Sequence, residues 1–309
     1  MRSIRAWQSG ISAVALLEVS GLDVRFATPR GDLRAVQGLT FAVDAGETVA
    51  IVGESGCGKS VTAMSVLRLV PEPPGRVQGA IRLNGRDLLT LSEREMRTLR
   101  GRDIGMVFQE PMTSLNPVLT VGRQIGETLR VHEGLSARAA STRAVEMLAL
   151  VGIPAPERRI GEYPHQLSGG MQQRVAISQA LLMNPPVLLL DEAFSALDPS
   201  TRASLQEQLR EVWLESKPTV VFVTHNTSEA LLLGTRLILL RRHSESRAGE
   251  TNLALDMQIP PSTLPLSMRA RSAEFQELLE HVKELAYKSS SMNKDDANAD
   301  ASADEATPA

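Results

Sequence analysis

Gly53-Glu54-Ser55-Gly56-Cys57-Gly58-Lys59-Ser60 follows the apolar run Thr48-Val49-Ala50-Ile51-Val52 and fills every fixed position of the pattern G-x-x-x-x-G-K-[ST]. Val49 to Val52 read as a short buried strand, and Val61 onward reads as a helix. Strand, glycine-rich loop and helix in that order are the context that makes the pattern a phosphate loop rather than a chance string. The glycines let the backbone curl until successive N–H groups point at phosphate oxygens, and the helix adds its positive end. Gly53, Glu54, Ser55, Gly56, Cys57, Gly58, Lys59, Ser60 and Val61 are therefore the expected nucleotide-binding residues. Lys59 is expected to reach the β- and γ-phosphates, and the Ser60 hydroxyl to ligate Mg²⁺. Kinases, GTPases and transport motors share such a loop, so it does not name a function by itself.

Bulk properties narrow the field. The chain has 309 residues, room for one large α/β domain with an appended subdomain and tails. Its net charge of −3 points away from nucleic acid, whose binders are usually strongly basic. The single cysteine, Cys57, excludes an internal disulfide and suits a reducing compartment. Lying inside the phosphate loop, Cys57 is expected to be shielded from thiol reagents by bound nucleotide. No apolar run approaches the roughly 18–20 residues that span a bilayer. The longest, Leu231 to Leu240, is broken by Gly234 and Arg236. Met1 to Ala15 is too short and polar for a signal peptide. A cytosolic protein is expected, meeting a membrane only through a partner.

Periodicity gives a coarse map. Leu17 to Phe26 and Ala35 to Val43 alternate as half-buried antiparallel strands, with a turn at Pro29 to Asp32. Gly79 to Leu83 is another strand, Ser92 to Leu99 a helix capped by Ser92, and Ile104 to Phe108 a buried strand ending at Gln109. Helical spacing from Pro117 to about Tyr163 marks an inserted helical subdomain. Ser168 to Met183 is a helix and Val187 to Leu190 a fully apolar central strand. Leu205 to Leu214 is a helix, Thr219 to Thr224 a strand, and Leu237 to Leu240 an edge strand. Ser272 to Phe275 lead a last helix through Ala286. The fold class is α/β: a P-loop NTPase with a mostly parallel sheet, an antiparallel β subdomain and an inserted helical subdomain.

The second nucleotide element is Val187-Leu188-Leu189-Leu190-Asp191-Glu192, an apolar strand that delivers two carboxylates. Alone it could be a solvated strand end. Beside a phosphate loop, Asp191 is expected to hold Mg²⁺ and Glu192 to orient and deprotonate the attacking water. Between the two elements lies Leu167-Ser168-Gly169-Gly170-Met171-Gln172. Here the chain resembles the ATP-binding subunits of ABC transporters, whose signature begins Leu-Ser-Gly-Gly. Met171 stands where Gln is commonest, as it often does in peptide and nickel importers. Ser168, Gly169 and Gly170 open a helix whose N-terminus can take a γ-phosphate. In the family this happens across a head-to-tail dimer, each ATP lying between one subunit's phosphate loop and the other's signature.

The resemblance implies further roles. Gln109 matches the glutamine that touches Mg²⁺ and the attacking water, and Ser195-Ala196-Leu197-Asp198 matches the loop that crosses the dimer interface, which makes Asp198 a nucleotide-side residue. His225 matches the switch histidine, and Phe26 sits where an aromatic stacks on adenine. Glu192, His225 and Gln109 are thus the expected catalytic residues; Ser60, Gln109 and Asp191 the expected metal ligands. Asn226 and Ala193 depart from the commoner Asp and Pro without removing a catalytic group. On this basis residues 1–16 are a flexible N-terminus and 17–245 the ATPase domain, with its helical subdomain at about 110–168. Residues 246–287 form a C-terminal extension with a helix, and 288–309 a disordered tail.

The two halves resemble different importers. Residues 53 to 185, with Phe108 to Pro117 and the run through Leu167, look like oligopeptide, dipeptide or nickel importer ATPases. After about 187, Val223 to Ala230 and the helix from Ser272 look more like nitrate, sulfonate or taurine importer ATPases. The resemblance implies ATP and Mg²⁺ as cofactors, transmembrane permease subunits as partners, and an extracytoplasmic substrate-binding protein as an indirect one. It also implies an ATP-dependent dimer with itself or a paralogous ATPase, no nucleic acid, and a peripheral place on the cytoplasmic face of the inner membrane. The expectation is the ATPase subunit of an importer, of peptide or nickel type. The nitrate, sulfonate or taurine type is the alternative, and a soluble ABC ATPase outside transport the distant one.

Overall fold

The computed structural model of the chain describes residues 15–109, 115–195, 197–242 and 251–286. The expected flexible N-terminus, apart from residues 15 and 16, and the expected tail lie outside them. Its strands are Leu17–Thr28 (β1), Gly31–Val43 (β2), Thr48–Gly53 (β3), Gly75–Leu83 (β4), Arg86–Asp87 (β5), Ile104–Val107 (β6), Val187–Asp191 (β7), Thr219–Thr224 (β8), Arg236–Leu240 (β9) and Leu253–Gln258 (β10). Among the described residues they make two sheets, ordered β2-β1-β4-β5 and β10-β9-β3-β8-β7-β6. The first is antiparallel, its hairpin closing where Thr28 pairs with Gly31 across Pro29-Arg30. The second is parallel from β9 through β6.

The helices are Lys59–Val66 (α1), Glu93–Leu99 (α2), Val121–His132 (α3), Ala137–Leu150 (α4), Pro156–Arg159 (α5), Gly169–Leu181 (α6), Pro199–Ser216 (α7), Thr227–Leu233 (α8), Leu266–Arg269 (α9) and a last one over 273–286 (α10). Most start at a residue whose side chain can accept from the open N–H groups of the first turn. Ser92 and Glu95 form a reciprocal capping box on α2. Thr120, Ser136, Ser168, Asp198 and Asn226 cap α3, α4, α6, α7 and α8.

The central strands are apolar throughout because each face of their sheet lies in a different core. Val187 and Leu189 of β7 pack with the antiparallel sheet and α1, whereas Leu188 and Leu190 pack with α3, α4 and α6. In β3 the same alternation sends Val49 and Ile51 one way, Ala50 and Val52 the other. The helical subdomain is built on Val121, Ile125, Leu129, Ala144 and Leu148, and its apolar face is continuous with this second core. Each fully buried Leu, Ile or Phe contributes roughly 1.5–3 kcal/mol, so the two cores supply most of the driving force. Gly126 faces α4, where a Cβ would make ordinary contact with the Ala140 methyl group at 3.4 Å.

One expectation is corrected. Leu237 to Leu240 were read as an edge strand, but β10 pairs antiparallel with the outer side of β9 and takes the edge itself. Residues past 245 thereby join the sheet that carries the phosphate loop. Phe275, Leu279 and Val282 of α10 are buried in the core shared with the helical subdomain. The final helix is therefore packed onto the domain.

Candidate nucleotide site

The phosphate loop leaves β3 at Gly53 and enters α1 at Lys59. Gly58, the residue before α1, sits at φ +97°, outside the range that L side chains adopt readily. A Cβ on Gly53 would lie 2.4 Å from the Leu240 carbonyl oxygen, and one on Gly58 2.4 Å from that of Ala35. Only glycine allows β9 and β2 to pack this closely on the loop. The loop is therefore a cradle of backbone, with Gly56 at φ +82° and open space around it. Lys59 is buried, and its Nζ donates to the Gly53 and Glu54 carbonyls at 2.8 and 2.9 Å. These are neutral acceptors that an anionic phosphate can replace.

Ser60 Oγ donates to Asp191 Oδ1 at 2.8 Å, which joins the loop to the end of β7. Asp191 is 4% exposed. Burial pushes its carboxyl above the usual range and the Glu192 charge adds to that, while the Ser60 hydroxyl and Lys59 pull the other way. A buried carboxylate and a hydroxyl side by side form a hard oxygen donor pair that suits Mg²⁺.

Glu192 follows at φ +46°, a left-handed conformation that costs a non-glycine residue about 1–2 kcal/mol. Its backbone is held on both sides. The N–H donates to the Val223 carbonyl at 2.9 Å, and its carbonyl accepts from Ser195 N and Oγ at 3.0 and 2.8 Å. Strain held this way is a common mark of a functional position. It aims the carboxylate at two other expected residues: Oε2 accepts from Gln109 Nε2 at 3.0 Å and lies 3.3 Å from His225 Nδ1. Gln109 and His225 leave the ends of β6 and β8, the outer two of three adjacent strands with β7 between them. The parallel ladder thus brings together three side chains far apart in the chain.

Other expected site residues sit elsewhere. Ser168 caps α6 by accepting from Met171 N at 3.3 Å, and Gly169 is exposed beside it. A Cβ on Gly170 would meet Thr201 Cγ2 at 3.3 Å, so the signature packs on the start of α7. Among the described residues no hydrogen bond joins these three to the phosphate loop. Gln172 Nε2 donates to the Pro164 and Leu167 carbonyls and braces the turn before the signature. Asp198 caps α7, accepting from Ser200 N, Thr201 N and Ser200 Oγ. The Ser200 and Thr201 donors hold its carboxyl well below the usual range. Ala196 lies outside the described residues. Phe26 is half-buried on β1, packed against the core of the antiparallel sheet, with Val61 against the same core.

Two features escaped the sequence reading. Glu229 is 7% exposed behind His225 and accepts from Thr224 Oγ1 and from Gln206 Nε2 at 2.6 Å. Thr224 Oγ1 in turn accepts from Asn226 N at 3.0 Å, so both neighbours of the histidine are fixed. Burial pushes the Glu229 carboxyl up against the pull of these bonds. The only advance signal was its place three residues after the cap Asn226, where a Glu usually turns back to the cap. The second feature is Asn252, fully buried against the phosphate loop.

The Cys57 expectation is overturned. The thiol is 1% exposed and packs in the core beneath the loop, and burial pushes it up despite Lys59 nearby. Protein, rather than nucleotide, covers it. A thiol reagent is expected to label native protein without nucleotide about tenfold or more slowly than unfolded protein. Rapid native labelling that nucleotide suppresses would restore the original expectation.

The loop, the carboxylate pair after β7 and the two-sheet architecture define the cassette of an ABC-type ATPase. Comparison with known proteins agrees: the ABC transporter family profile matches residues 36–195. The oligopeptide transport ATP-binding protein OppD of Bacillus subtilis (strain 168) is 46% identical over 231 residues, 74% of this chain and 64% of that protein. The dipeptide transport ATP-binding protein DppD of the same organism is 45% identical over 226 residues, 73% of this chain and 68% of that one. The chain thus spans just under two thirds of OppD. Among solved structures, the dimeric post-hydrolysis state of the ATP-binding cassette MJ0796 bound to ADP and Pi matches with TM-score 0.68 at 27% identity. That match covers 80% of this chain and 100% of the cassette. The chain belongs to the ABC transporter family.

Proposed function

We propose that the chain binds and hydrolyses Mg-ATP as the motor subunit of a membrane importer of the peptide type. The observation that carries the reading is the Glu192 carboxylate, held between Gln109 and His225 beside the Ser60–Asp191 pair. The inward N–H groups of the loop bind the phosphates, and Lys59 exchanges its two carbonyl partners for phosphate oxygen. Ser60, Asp191 and Gln109 would hold Mg²⁺, which when bound neutralises phosphate charge. Glu192 takes the proton of the attacking water as general base. Gln109 and His225 orient that carboxylate, and His225 faces the γ-phosphate. Phe26 offers a half-exposed ring to the adenine.

Ser168, Gly169 and Gly170 have a different task. At the N-terminus of α6, with Ser168 and Gly169 exposed and Gly170 half-buried, they serve the γ-phosphate of a second cassette, with Asp198 at the same interface. The dimeric state of MJ0796 supports this arrangement. Among the described residues no helix is long and apolar enough to cross a membrane. Membrane contact therefore runs through permease subunits, with the chain peripheral on their cytoplasmic side and a substrate-binding protein on the other. OppD and DppD support a peptide-type substrate. A second reading, a nitrate-, sulfonate- or taurine-type importer, rests on the sequence of the C-terminal third alone.

The test is a pull-down of the tagged chain from its host membranes, with mass identification of what it carries. Peptide- or nickel-type permeases are the expected catch. A nitrate- or sulfonate-type pair would favour the second reading, and ribosomes without a permease would overturn the transport reading.

A further inference from the structure

The phosphate loop is held from outside as well as from within. Four of its carbonyls have side-chain donors: Gly53 and Glu54 take Lys59 Nζ, Ser55 takes Arg242 Nε at 3.1 Å, and Cys57 takes Asn252 Nδ2 at 3.0 Å. The first two bonds come from a residue that must leave them when phosphate arrives. The other two come from chain beyond β9, outside the family-matched span of 36–195, and have no duty toward phosphate.

Peptide geometry says what those bonds do. A peptide unit is planar and trans, so its C=O and N–H point in opposite directions. The Ser55 carbonyl shares its plane with the Gly56 N–H, and the Cys57 carbonyl with the Gly58 N–H. A donor that holds either carbonyl outward aims the matching N–H inward, where the phosphates lie. The need is real at these positions, because Gly56 and Gly58 have the freedom to turn their planes over. Asn252 is well placed for the task. It is fully buried, its N–H donates to the Gln37 carbonyl at 3.2 Å, and its carbonyl accepts from Arg241 N at 2.9 Å. Arg242 adds an ion pair with Glu54 at 3.1 Å.

We propose that Asn252 and Arg242 are positioning residues of the phosphate site, aiming the Gly58 and Gly56 amides by holding the far ends of their peptide planes. The proposal rests on the reading of the loop as an ATP site. It makes nucleotide affinity depend on the segment after β9.

The test uses the full chain, Mg-ATP titrated by calorimetry, turnover as a function of ATP, and thermal midpoints without nucleotide. Asn252→Leu keeps the branched shape, is somewhat bulkier, and removes the donor. It is expected to weaken Mg-ATP binding about tenfold, with KM rising in parallel and kcat within about twofold, since these amides hold non-reacting phosphates in ground and transition states alike. Arg242→Ala acts on a half-exposed side chain. It is expected to weaken binding about threefold with an unchanged midpoint, and Arg242→Gln, which keeps an N–H donor, to recover most of that. A wild-type Kd for Arg242→Ala, or for a folded Asn252→Leu with only its midpoint lowered, overturns the proposal. A wild-type chain that binds no Mg-ATP overturns the ATP reading beneath it.

Discussion

Glu192→Gln is expected to cut ATP turnover by roughly 10²–10⁴-fold, the usual worth of a positioned general base, while Mg-ATP still binds. The substitution is close to isosteric. Its amide oxygen can still accept from Gln109, and glutamine tolerates φ +46° no worse than glutamate. The loop, Lys59 and the Ser60–Asp191 pair are left alone, so ground-state binding persists. What disappears is the carboxylate placed to take the proton of the attacking water; the amide in its place is no base. A cassette that binds but does not hydrolyse has no means of separating from its partner, so ATP should convert monomer to stable dimer. Phosphate release and size-exclusion chromatography with and without ATP check both halves. Turnover within a few-fold of wild type would remove Glu192 from the role of base.

Gly58→Ala is expected to abolish Mg-ATP binding and lower stability by about 2–5 kcal/mol, at the severe end for one methyl group. Two penalties coincide. The backbone stands at φ +97°, and the new Cβ would lie 2.4 Å from the Ala35 carbonyl oxygen and 3.0 Å from Val36 Cγ2. Ala35 stands at a register shift, without a partner of its own on β1, but its carbonyl moves only if the paired neighbours Arg34 and Val36 move too. The Gly58 carbonyl also accepts from Thr62 N and Oγ1, both at 2.8 Å, so the first turn of α1 moves with it. Gly56→Ala is the control. It meets a comparable φ of +82° but nothing within 4 Å, so it should cost much less in stability. Melting curves and calorimetric titration of the two variants separate clash from strain. Equal midpoints would show that the contact with β2 yields.

Much of this was legible in the residues themselves. The strand–loop–helix at Thr48 to Val61 and the apolar run ending at Asp191 each combine a propensity with a motif, and both stand where expected. Thr219–Thr224 and the Ser92 cap were equally plain, one β-branched but for Phe222, the other marked by Glu95. The start of α7 was missed although Asp198 and Pro199 are strong start signals, because the same residues had been read as an interface loop. β10 was missed because Leu253, Leu255 and Met257 alternate too briefly to stand out, and β9 was left at the edge as a result. The assembly of Gln109, Glu192 and His225 could not be read from spacing at all. It is a product of strand order, and the family resemblance alone pointed to it. Glu229 and Asn252 are ordinary polar residues in the sequence whose roles come entirely from burial.

The central sheet, with one core on each face, also acts as a bulkhead. The phosphate loop rests on one core, the helical arm on the other, and no side chain of β3 or β7 serves both. Changes on one face therefore cross to the other only through the backbone of the shared strands. Such a construction lets the helical arm change its surface while the phosphate-loop face keeps its dimensions.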